Sequence, residues 1–124
     1  MEENKYKETT VGSLRISEEV IATIAALATK EIEGVAELAP NMGSIKNILG
    51  RSSAAKALKI ELSDDVATID VYVHLKYGTN IPDVASSIQN NVKSTVQNMT
   101  GIAVSKVNVN ITGIAFEDAA GDAE

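Results

Sequence analysis

From Ala57 to Leu62, and again from Ala67 to Leu75, apolar residues alternate with polar ones. Leu58, Ile60 and Leu62 on one arm, and Ile69, Val71, Val73 and Leu75 on the other, therefore fall on a single side. A period of two marks a half-buried strand. Asp64-Asp65 stands between the two runs and suits a tight turn, so the pattern predicts a β-hairpin. A longer period governs two other stretches. Val84, Ala85, Ile88, Val92, Val96 and Met99 recur at spacings of three and four, with Asn80 and Asp83 as a reciprocal cap, Pro82 in the first turn and Gly101 as a stop. This predicts a helix from about Ile81. Earlier, Ser17 precedes Glu18 and Glu19 as an N-cap, and Val20, Ile21, Ile24, Leu27, Ala28 and Ile32 supply a stripe that ends at Gly34 as a left-handed stop. The added Ala22, Ala25 and Ala26 make this first helix apolar almost all round, so it is expected to be covered on more than one side, within the domain or at a subunit interface.

Shorter signals complete the order. Thr10 to Ile16 and Gly34 to Leu38 read as brief strands, Val107, Val109 and Ile111 alternate with Asn108, Asn110 and Thr112 as a half-exposed strand, and Pro40 to Ser53 reads as a loop or a short irregular helix. The elements sum to an α+β fold: a small two-layer sandwich with two main helices on a mostly antiparallel sheet, in the order β-α-β-β-β-α-β. One domain is expected over 11–116, with a variable loop at about 40–55, a polar tail at 1–10 and an acidic tail at 117–124. Glu31-Ile-Glu-Gly-Val-Ala36 and Asn98-Met-Thr-Gly-Ile-Ala103 echo each other; duplication and the ordinary way a helix stops before a strand both produce such an echo.

Composition narrows the function. Only 3% of residues are aromatic, so stacking platforms for bases are scarce, and the net charge of -6 opposes broad binding to a phosphate backbone. The absence of cysteine removes disulfides, thiolate nucleophiles and cysteine-metal sites. MEENKYKETT lacks the layout of a secretion signal, and the longest apolar stretch, Val20 to Ala28, falls short of the ~20 residues a membrane span needs. A cytoplasmic location is expected, with any membrane association made through a partner.

The chemical inventory is equally sparse. His74, the only histidine, sits on the polar side of its strand as a solvated-face residue, and Asp64 and Asp65 diverge in a turn. Gly43 to Ser52 imitates a phosphate loop but has six residues between its glycines and arginine where lysine belongs. No catalytic, cofactor-binding or metal-ligating residue is assigned, and no cofactor is implied. Two interaction candidates stand out. The second helix carries Ser86, Ser87, Gln89, Asn90, Asn91, Ser94, Gln97 and Asn98, side chains cheaper to desolvate than ions, which mark either a protein-binding face or ordinary surface. Lys46, Arg51, Lys56 and Lys59 beside Ile45, Ile48 and Leu49 form a basic amphipathic segment, suited to anionic lipid, to an acidic partner, or simply to covering the first helix.

In series, Leu14 to Ala25, Lys30-Glu-Ile-Glu-Gly-Val35, Ile69-Asp-Val-Tyr-Val73, Tyr77-Gly-Thr-Asn-Ile-Pro82, Val92-Lys93, Asn98-Met-Thr-Gly101 and Val107-Asn-Val109 resemble the alkaline-shock-protein family, also called the Gls general-stress family of Gram-positive bacteria. The likeness runs from about Val11 to Gly113 and is weakest over Pro40 to Ala55. It implies a small cytoplasmic protein without catalytic activity, tied to cell-envelope stress and homeostasis, that self-associates and is gathered at the membrane by a separate membrane-anchored partner. It brings no catalytic residues. The leading expectation is therefore a non-enzymatic, self-associating scaffold or adaptor. The alternative is a regulatory module that binds nucleic acid or a small ligand on its sheet face.

Overall fold

The computed structural model describes residues 11–39 and 57–116. Two helices, α1 (Glu18–Lys30) and α2 (Ile81–Thr100), lie on one side of a four-stranded sheet made of β1 (Val35–Leu38), β2 (Leu58–Ser63), β3 (Val66–Lys76) and β4 (Ala103–Ala115). The fold is the α+β sandwich that the periodicities predict. Its centre is β3, antiparallel to β1 and β2 and parallel to β4. The N–H of Tyr72 donates to Ala57 O at 3.0 Å, and its carbonyl accepts from Ala39 N at 2.8 Å. Both groups of one strand residue point the same way, so β1 and β2 lie end to end on one flank of β3, and β4 takes the other.

The expected strand over Thr10 to Ile16 is absent from this sheet. Thr10 lies outside the described residues, Gly12 turns to φ 83°, and Val11 and Leu14 are exposed. Both flanks of β3 are already occupied, and none of the described residues of that run pairs with the open edge of β4.

Side-chain alternation sorts the sheet into two faces. Ala67, Ile69, Val71, Val73 and Leu75 of β3 are wholly buried beneath the helices, together with Leu58 of β2 and Val104 and Val107 of β4. From above, α2 contributes Val84, Ile88, Val92 and Val96, each worth roughly 1.5–3 kcal/mol of apolar burial before ordering entropy. Met99, placed on that stripe by spacing, is 67% exposed, because the helix runs past the core before Gly101 caps it in the left-handed conformation. Asn80 Oδ1 accepts from Asp83 N at 3.1 Å at the other end.

The first helix is rotated from its simple stripe. Ile21, Ala22, Ala25, Ala26 and Ala28 are buried, whereas Val20 and Leu27 are about half exposed. The small alanines win the inward side because they let α1 approach its neighbours closely. Buried Thr29 donates its hydroxyl to Ala25 O at 2.8 Å and so leaves nothing polar unsatisfied. The helix also ends at Lys30 with Glu31 as a right-handed cap, so Gly34 is not its stop. Gly34 instead holds φ 106° at the start of β1, tucked against Thr79 and Val84.

The hairpin turn is Asp64-Asp65, both at positive φ (52° and 68°) between paired Ser63 and Val66. Asp65→Gly should raise stability by about 0.5 kcal/mol: it relieves roughly 1–2 kcal/mol of left-handed cost and adds back ~0.5–1 for glycine's freedom in the unfolded chain. A higher urea midpoint at unchanged slope would register the gain.

Candidate interaction surfaces

The surface of α2 is built by helical geometry from a sequence with only two charges in twenty residues, Asp83 and Lys93. Of the eight uncharged residues expected on its wet face, three work inside the molecule. Asn91 donates to Ala28 O at 2.8 Å and to Glu31 Oε1 at 3.1 Å, tying α2 to the end of α1. Gln89 donates to Val107 O at 3.1 Å, and Gln97 accepts from Val104 N at 3.0 Å, so both reach backbone of β4. The other five, Ser86, Ser87, Asn90, Ser94 and Asn98, are exposed, and only Asn98 to Ser94 form a bond, at 3.5 Å. What remains is a stripe of small polar side chains opposite the buried one. Composition could not separate the two groups, because the strand that Gln89 and Gln97 reach lies elsewhere in sequence.

No helix covers the other side of the sheet among the described residues. There Tyr72 and His74 of β3 are half-buried in a polar row with Asp70, Asn108 and Asn110. Asn108 donates to Asp70 Oδ1 at 2.6 Å, and His74 Nδ1 lies 3.1 Å from Glu37 Oε2. Glu37 is the partner that sequence reading missed: β1 pairing brings it across from His74 over an interval of 37 residues. The imidazole also lies against Gly113, where a side chain would meet the ring. With Glu37 64% exposed, the pair has the geometry of a surface ion pair worth at most ~1 kcal/mol. No group of three metal-ligating side chains occurs among the described residues.

Two apolar features complete the surface. Tyr77 and Phe116 stack with ring centroids 5.0 Å apart and are both more than half exposed, next to partly exposed Ile114. On α1, Val20 and Leu27 are exposed, and Val20 with half-buried Ile24 lines a shallow depression together with Ser17, Glu19 and Thr23. Of the basic segment, Lys59 projects from β2 opposite Asp70, and Lys46, Arg51 and Lys56 lie outside the described residues. No described helix is long and apolar enough to cross a membrane.

Residues 6–116 match the model of the alkaline-shock protein 23 family, described by its cell envelope-related function. The chain belongs to that family. It is 38% identical over 113 residues to YqhY of Bacillus subtilis (strain 168), covering 90% of this chain and 84% of that protein. YloU of the same organism is 31% identical over 109 residues, covering 86% and 91%. Spy1535 of Streptococcus pyogenes serotype M6 is 33% identical over 108 residues, covering 86% and 82%. Among solved structures, MamM-CTD superposes with a TM-score of 0.50 at 11% identity over 78% of this chain and 98% of that one, a likeness of fold alone.

Proposed function

We propose that this member of the alkaline-shock protein 23 family is a non-catalytic scaffold or adaptor in the cytoplasm that self-associates and serves cell-envelope stress tolerance. Its contacts are protein–protein, and a separate membrane-anchored protein gathers it at the envelope. The observation that carries the reading is the exposed stripe Ser87, Asn90, Ser94 and Asn98 on α2, on a chain whose family has a cell envelope-related function. Hydroxyls and amides lose little on leaving water and re-form bonds across a contact, whereas a charged helix face resists burial. Lys46, Arg51, Lys56 and Lys59 are a second contact, reserved for anionic lipid or an acidic partner once the chain is held near the membrane. Crosslinking the tagged chain in its native cells should recover further copies of itself together with a protein that has a membrane span. Recovery of the bait alone would refute the reading.

A second reading, a module that binds nucleic acid or a small ligand, is favoured by the uncovered sheet face with Tyr72 and His74. Its row mixes Glu37, Asp70 and Glu61 with Lys59 and Lys106 and so offers no single-sign field. The purified chain is expected to show no salt-dependent shift of labelled RNA; clear salt-dependent binding would favour this module over the scaffold.

A further inference from the structure

We propose that the outer edge of β4 pairs, antiparallel, with the same edge of a second copy of this chain on a two-fold axis through Val109. The inference rests on the scaffold reading and extends it, because a chain with one self-complementary surface stops at a dimer, whereas a growing assembly needs two. The stripe on α2 is the first surface. The edge of β4 is the second.

The ladder shows which backbone groups are free. Tyr72 turns its N–H and C=O toward β1 and β2, so its odd-numbered neighbours Ile69, Val71 and Val73 turn theirs toward β4. Their Cα partners are Val107, Val109 and Ile111, and in a parallel ladder the bonds go to the residues on either side of those partners. Val107, Val109 and Ile111 therefore point their own N–H and C=O outward. The bond from Gln89 to Val107 O is made on that outward side, and a carbonyl with two lone pairs can accept a second donor. Among the described residues no strand pairs with this edge.

The spacing selects one register. About Val109, each outward residue meets an outward residue: Val109 faces its copy and Val107 faces Ile111. Centred on Asn108 or Asn110, the axis would leave one of the three without a partner. The side chains agree with the backbone. The three apolar residues continue the helix-covered face, Asn108 stands opposite Asn110 on the open face, and Lys106 meets Thr112, so no like charges oppose each other.

A separate observation fits the same axis. The second helix crosses the sheet obliquely, from Val84 against Gly34 beside β1 to Gln97 on Val104 of β4. The far end of β4 is left uncovered on the helix side, with Ile114 37% and Phe116 52% exposed, and the end of α2 leaves Met99 67% exposed. A two-fold through Val109 reverses the strand and brings Met99 of each copy toward Ile114 and Phe116 of the other.

The chain has no cysteine, so introduced ones report alone. Asn108→Cys/Asn110→Cys places opposed cysteines in a non-hydrogen-bonded pair about 4.5 Å apart at Cα, within disulfide reach, whereas Asn108→Cys by itself leaves only diagonal neighbours at ~7–8 Å. Under mild oxidation the double variant should form covalent dimer at least about tenfold faster than the single one, and equal rates or no dimer would overturn the register. Hydrogen exchange on the unaltered chain needs no substitution: the Val109 and Ile111 amides should gain roughly tenfold protection as concentration rises, and free exchange at every concentration would overturn the pairing. Assembly seen by light scattering without the disulfide or the protection would sink this edge and leave the scaffold standing. A chain that stays single would sink both.

Discussion

Gly34→Ala should unfold at markedly lower urea than the parent chain, with a loss of about 2–5 kcal/mol. Two costs combine at this position. Its φ of 106° is a conformation that only glycine holds freely, and a Cβ there would lie 2.8 Å from Thr79 Cγ2 and 2.9 Å from Val84 Cγ2. The backbone term is roughly 1–2 kcal/mol, and forcing a methyl into an occupied space adds about 1–3 kcal/mol, because Val84 is buried at the start of α2 and has little room to retreat. Gly78→Ala separates the two terms. Gly78 also has positive φ, at 90°, but nothing lies within 4 Å of its added Cβ, so it should lose only the backbone part. Equal losses at the two glycines would show that β1 and the head of α2 are not packed together as described.

The second large effect concerns assembly rather than folding. Asn90→Lys/Ser94→Lys should halt association at a dimer, while thermal unfolding moves by no more than about 0.5 kcal/mol. Both residues are exposed on α2, so the lysines are fully hydrated in the isolated chain and cost the fold little. In a buried contact each ammonium would lose its water without a counter-ion, a penalty of several kcal/mol, and a factor of ten in affinity follows from each ~1.4 kcal/mol. An i,i+4 pair of like charges adds only a small helix penalty of about 0.2–0.5 kcal/mol. If the double variant grows into the same large species as the parent, the stripe is ordinary surface.

Periodicity made much of this molecule legible. The hairpin, the span of α2 and the inward set Ile69, Val71, Val73 and Leu75 all follow from a single period acting over many residues. Where a prediction failed, two periods competed or the deciding partner was remote. On α1, alanines and larger residues both fit a stripe, and packing chose the small ones, turning Val20 and Leu27 outward. Gly34 reads from sequence as a helix stop, but its positive φ serves the close approach of Val84 from fifty residues away. Thr10 to Ile16 reads as a short strand, yet a strand also needs an edge to pair with, and the run cannot reveal that it joins none. The uncharged surface of α2 was visible in composition; its division into residues that bind β4 and residues that face solvent was not, because it depends on tertiary position.

The most direct test is the mass of the purified, unaltered chain by light scattering across a wide range of concentration. A non-catalytic scaffold with two self-complementary surfaces predicts a weight-average mass that climbs past twice that of one chain as concentration rises. A mass that holds at one chain throughout would contradict it.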